Sequence, residues 1–183
     1  FVDRPFAHIL SDELNTPILN LGMGGVGPNN YYNPQMRRIL NDAKWCVVQV
    51  MSGRSTNNEL FYSATGQNVY GLVKGEREGN AAFSQRVVEH VLEARDSEAI
   101  RRILHEMRRA WRSEMYWLAR SIKVPKILFY FGDRDPAYTP GYKDALELGS
   151  SFPQFIDDGS ISSIKNYFSA YVEVVSARGR PHK

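Results

Sequence analysis

One cysteine, four histidines and a net charge of only +3 leave this 183-residue chain short of several kinds of chemistry. Its single thiol, Cys46, can form no internal disulfide, which fits a reducing compartment, and the cytoplasm is the expected location. The scattered histidines and lone cysteine supply no metal-ligand spacing, so neither a metal nor another cofactor is expected. No apolar run approaches the length of a membrane span and no signal peptide is visible, so no membrane partner is expected. The cations are not gathered into a tail, and the mild charge does not demand nucleic acid; none is expected as a partner. Repeats and low-complexity segments are missing too.

What remains is ordinary globular composition, 43% apolar and 23% charged, long enough to bury one core. A single domain over 1–183 is expected. The chain starts with Phe1 inside a segment shaped like the approach to a helix. It stops in the polar string Arg178–Lys183 directly after a strand-like run, so a piece of a longer protein is expected.

Periodicity then places the elements. Pro5–Leu14 reads as a short amphipathic helix, with Phe6, Ile9 and Leu10 inward and His8 on its surface. Ile18, Leu19 and Leu21 form an apolar run that reads as a buried strand. Asn33 is the expected N-cap of a helix from Pro34 to Ala43, with Met36, Ile39, Leu40 and Ala43 as its stripe. Trp45–Met51 is the best strand, apolar enough for a parallel strand covered on both faces, with Cys46 as a core residue. Ser52–Gly71 reads as a long aromatic loop and Asn80–Arg95 as a further helix.

From Ser97 to Ile122 runs the longest helix, its core stripe including Trp111, Met115, Leu118 and Ile122. Arg101, Arg102, Arg108, Arg109, Arg112 and Arg120 occupy its opposite face, which reads as solvated or as a contact for phosphate or an acidic partner. Val124–Gly132 is another strand, ending in the acidic turn Asp133–Pro136. Asp158 is the expected cap of a helix over Ser160–Ser169, and Tyr171–Val175 the closing strand. This alternation predicts an α/β fold with a parallel sheet in a three-layer α/β/α arrangement. The loops 22–30, 52–66 and 133–138 should meet at the C-terminal strand edges.

Gly22-Met23-Gly24-Gly25-Val26-Gly27 allows two chemistries. It matches G-x-G-x-x-G, a dinucleotide fingerprint, but that motif should open a helix, and Pro28 and the delayed helix at Pro34 argue against it. The alternative is an oxyanion loop, in which backbone N–H groups meet a developing alkoxide. Ser52, Ser55 and Ser63 read as loop hydroxyls rather than nucleophiles, and His90 and His105 as helix-surface residues.

Asn20-x-Gly22-x-x-Gly25 resembles the second block of SGNH/GDSL-type hydrolases, and Ser52–Asn58 sits where their third block would lie. The likeness is closer to one bacterial SGNH-like family of unknown function. It is carried by VDRPFAHIL, NLG followed by G and N, VVQVM with its Asn/Phe/Tyr cluster, and an AW-containing helix before a strand, from Phe1 to about Ser176. The resemblance implies a flavodoxin-like sheet and acyl-serine chemistry on an ester, whether of a small molecule or a carbohydrate, by a hydrolase or acyltransferase. It implies Gly25 as an oxyanion N–H donor and Asn57 or Asn58 as the side-chain donor, since Ser55 stands where that asparagine would first be sought. Gly22, Ser52, Ser55 and Asp133 are the expected substrate contacts. The serine of the first block would precede Phe1, and the activating histidine would follow Lys183, because His182 lacks an Asp-x-x-His setting. Two alternatives stay open: a non-catalytic binding domain of the same fold, and a nucleotide- or phosphosulfate-binding transferase.

Overall fold

Three parallel strands organise the chain. In the computed structural model, which describes residues 4–53, 56, 61–62, 70–73, 76–78, 97–138 and 151–176, β1 (Cys46–Gln49), β5 (Lys126–Gly132) and β6 (Ala170–Val175) pair in the order β1-β5-β6. The register sets Val48 beside Leu128 and Leu128 beside Tyr171, so partners across the sheet share a face. α1 spans Phe6–Glu13, α2 Pro34–Asp42, α3 Ser97–Ser121 and α4 Asp158–Lys165. No helix among the described residues is long and apolar enough to cross a membrane. The chain is thus an α/β protein.

The inner face of the sheet explains the strand residues. Val48, Leu128 and Tyr130 are buried with Trp111, Met115 and Leu118 of α3, Ile122 just after it, and Ile161 and Ile164 of α4. The α3 stripe is core throughout: Trp111 and Met115 are fully buried, and the Trp111 indole N–H donates to Met51 O at 3.0 Å. Cys46 lies in the same core, its thiol 3.3 Å from Leu40 O and its pKa pushed up by burial. α2 begins as expected, with the Asn33 side chain accepting from Met36 N–H at 2.9 Å. Its Asn41 ties down the end of α3, donating to Ser121 O at 3.1 Å and accepting from Lys123 N–H at 2.6 Å.

Four expectations need correction. Ile18–Leu21 forms no strand, and Leu19 is 68% exposed. Its backbone groups are met locally instead: Asn20 Oδ1 accepts from Gly22 N–H at 2.9 Å and Leu21 O takes the Tyr31 hydroxyl at 3.0 Å. β1 is not covered on both faces, since Val47 and Gln49 point to an exposed side. That side receives α1, where Phe6 stacks on Phe129 at 5.4 Å. Within and beyond the long loop, β2 (Phe61–Tyr62), β3 (Tyr70–Val73) and β4 (Glu76–Glu78) form a small antiparallel sheet; the aromatic and branched residues of β2 and β3 favour strands, whereas β4, Glu-Arg-Glu, gives no such signal. The cap of α4 is Asp157, not Asp158, because Asp157 has the extended backbone and accepts from Ser160 N–H at 2.8 Å. The helix expected over 80–95 lies outside the described residues.

Gly132 shows how tightly β5 ends. A Cβ there would lie 2.6 Å from the Tyr130 hydroxyl oxygen, and that hydroxyl is held by Arg134 O at 2.7 Å. Tyr130 is fully buried and has no room to yield. Gly132→Ala should therefore destabilise by about 1–3 kcal/mol in denaturant unfolding. The same substitution in a Tyr130→Ala background should cost much less; an equal cost in both backgrounds would refute the contact as its cause.

Candidate functional site

The loops leaving the C-terminal ends of β1 and β5 are stitched together by the segment that enters α4. Gly53 N–H donates to Gln154 O at 2.9 Å, Asp133 N–H to Phe152 O at 3.1 Å, and Asp158 N–H to Pro136 O at 3.0 Å. The Asp133 carboxylate accepts Phe152 N–H at 3.1 Å on each oxygen. Arg134 reaches back to the carbonyls of Tyr138 (3.3 Å), Pro153 (3.2 Å) and Ile156. Thr56 is buried with its hydroxyl on Gly53 O at 2.7 Å, and Ser52, the residue before Gly53, is buried too. Such strand-end loops are where α/β sheets bind ligands.

Arg108 completes this edge from α3. Its Nε donates to Phe155 O at 2.8 Å and its Nη1 lies 2.9 Å from Asp157 Oδ2. Arg108 is therefore not part of an open basic face, as the sequence suggested. The reason is tertiary: α4 docks where Asp157 meets it. Burial alone would raise the Asp157 carboxyl, but the hydroxyl and N–H of Ser160 and the Arg108 charge outweigh it, leaving the pKa below its ordinary value. Phe155 sits at φ 67° although it is bulky and buried. A left-handed backbone at such a residue costs on the order of 1–3 kcal/mol and persists only where its surroundings enforce it.

The glycine loop is anchored at both ends. Asn20 and Tyr31 fix its start, and a 3-10 turn over Pro28–Tyr31 follows Gly27. Tyr32, next in line, donates its hydroxyl to Glu114 O on α3. Between these anchors Gly25 takes φ 78°, a conformation suited to glycine, and Gly22, Gly24 and Gly25 are exposed. Among the described residues no strand precedes the loop, and α2 opens only at Pro34, so the context of a dinucleotide fingerprint is not met. Beneath it, Asn29 Oδ1 and Glu114 Oε2 are buried with no hydrogen-bond partner among the described residues. Burial pushes the Glu114 carboxyl up to about 7.

Gly22 and Gly25 thus lie on the anchored loop, while Ser52 and Asp133 lie at the strand edge. Ser55, Asn57 and Asn58 lie outside the described residues. The described histidines, His8 and His105, are both exposed on helices. The sequence does not single out Arg134, Asp157 or Glu114, although Arg134 falls within the acidic turn Asp133–Pro136 expected at the strand edge. Asp157 also had a visible signal, since an Asp just before an apolar-periodic run is a preferred N-cap, a signal it shares with Asp158.

With this geometry in place, the chain belongs to the family described as a domain of unknown function (DUF6473), whose match covers residues 1–68 and 80–182. No curated protein and no solved structure matches it.

Two pH responses follow from the buried carboxyls. Glu114 binds its proton more tightly folded than unfolded, so its contribution is full below the ordinary 4.5 and declines as pH rises through about 7. Urea unfolding across that window should show falling stability, and Glu114→Gln should flatten the slope. An unchanged slope in the variant would exclude Glu114 as its source. Asp157 has the opposite sign: its stabilisation is present above the ordinary 3.8 and is lost as pH falls through the lower folded value. Asp157→Asn should lower stability at neutral pH and reduce the loss in acid, as read by the same unfolding curves.

Proposed function

We propose that this domain is an SGNH-like ester hydrolase or acyltransferase acting on a small-molecule or carbohydrate ester. The observation that carries the reading is the Gly25 turn, exposed, at φ 78° and on a loop fixed by Asn20 and Tyr31. In this reading the Gly25 N–H and the side chain of Asn57 or Asn58 donate to the oxyanion. Gly22, Ser52, Ser55 and Asp133 contact the substrate. The serine and the histidine that activates it come from outside residues 1–183.

The chemistry is acyl transfer. The serine oxygen attacks the ester carbonyl as the histidine takes its proton, and the carbonyl oxygen becomes an alkoxide. Donors already aimed at that oxygen lower the barrier because they need no reorganisation as charge appears. The C–O bond to the alcohol then breaks, the histidine returns the proton to the leaving oxygen, and an acyl-serine remains. Water or an acceptor alcohol releases the acyl group by the reverse sequence.

A second reading, a binding domain without catalysis, is favoured by a specific observation. Asp133, Arg134, Arg108 and Asp157 are all engaged in holding the strand-edge loops together. Charged groups tied to backbone in this way support a rigid binding edge as readily as an active one.

Turnover of short p-nitrophenyl esters by the full-length protein separates the two. Gly25→Pro, which removes the N–H and also forbids φ 78°, should lower kcat by at least about 10²–10³-fold, the usual cost of losing one oxyanion donor. Gly25→Ala keeps the N–H, carries only the roughly 1–2 kcal/mol strain of a left-handed alanine, and should lose far less. Absence of turnover by a folded wild-type protein would remove the hydrolase reading and leave the binding domain.

A further inference from the structure

The opposite end of the sheet holds a feature that ester chemistry leaves unused. Between the end of α3 and the start of β5 lies a recess of about 340 Å³, lined by Ala119, Arg120, Ile122, Lys123, Lys126 and Tyr167. Three of these are cations and none is an acid. The Lys123 ammonium donates to Arg120 O at 2.8 Å, and the Lys126 ammonium donates to Ile122 O at 2.8 Å. Each bond uses one of the three N–H donors that an ammonium carries. The helix C-terminus they cap amounts to only about half a negative charge, so it offsets a fraction of the three positive ones. Burial and then the neighbouring Lys123 lower the Lys126 pKa, against a smaller opposing effect of Cys46.

One aromatic ring, that of Tyr167, borders the same recess, and two more pack behind it. Tyr167 is 38% exposed and meets Tyr116 edge-on at 4.9 Å, and Tyr116 in turn meets Trp117 at 5.4 Å. Trp117 is 61% exposed. Cations beside a partly exposed aromatic ring are the chemistry that recognises a phosphate joined to a flat heterocycle.

We propose that this recess binds a mononucleotide, its phosphate on Arg120, Lys123 and Lys126 and its base against Tyr167. The volume lies at the lower end of small-molecule sites, roughly 300–1,000 Å³, which suits one nucleotide. This site is independent of the glycine loop, so it stands or falls apart from the ester chemistry.

Calorimetry of the full chain at low salt with AMP, inorganic phosphate and adenosine tests it. AMP should bind at one site, phosphate more weakly at the same site, and adenosine most weakly. Arg120→Gln leaves both lysine–carbonyl bonds intact and should weaken AMP about tenfold, the usual effect of losing one charged hydrogen bond. Tyr167→Ala should weaken AMP while leaving phosphate unchanged. No saturable heat with AMP would overturn the proposal, as would an Arg120→Gln affinity equal to wild type. So would binding of a short single-stranded oligonucleotide in the absence of any AMP binding.

Discussion

The contact between the Trp111 indole and the end of β1 governs the arrangement of this domain. Trp111 is the largest fully buried side chain, and its N–H is satisfied by Met51 O rather than by water. A buried indole needs that partner, because an unmet N–H in the core would cost about 1–3 kcal/mol. The bond fixes Trp111 of α3 just past the end of β1, while Asn41 of α2 holds the other end of the helix at Ser121. The neighbouring packing follows from that placement. Tyr32 meets α3 one turn further on, at Glu114, and Arg108 comes within reach of Asp157 one turn back.

The strand-edge loops illustrate how charged residues can be structural and still shape a site. Arg134 gathers carbonyls from two segments, Asp133 closes a ring with Phe152, and Arg108 and Asp157 fix the start of α4. A network of this kind leaves few rotamers open, and rigidity at a strand edge is a requirement for positioning a ligand. The strained backbone of Phe155 lies inside the network, where Arg108 bonds its carbonyl and can hold the conformation in place.

The two faces of the sheet are unequal. The inner one is buried under α2, α3 and α4, whereas on the outer one Val47, Phe131, Val172 and Val174 keep 37–44% of their surface exposed. Order β1-β5-β6 with successive parallel crossovers places the connecting helices on one side, as right-handed connections require. α1 reaches the other side through Phe6 on Phe129.

Local chemistry was legible in the sequence wherever neighbouring residues decide the outcome. The Asn33 cap, the α3 stripe, the strand at Cys46–Gln49 and the α/β alternation all depend on spacing along the chain, and all are found. The supposed strand at Ile18–Leu21 failed because strand formation needs a partner, and the nearest claims on its backbone came from Asn20 and Tyr31. Arg108 looked like one more cation on a solvated face until α4 brought Asp157 to it. Glu114 looked ordinary, and only the packing of Tyr32 and the turn at Pro28–Tyr31 against α3 buried its carboxyl. Helical and strand periods are properties of the chain alone. Burial, ion pairing and the pKa values they set depend on which segments meet, and that is a property of the folded whole.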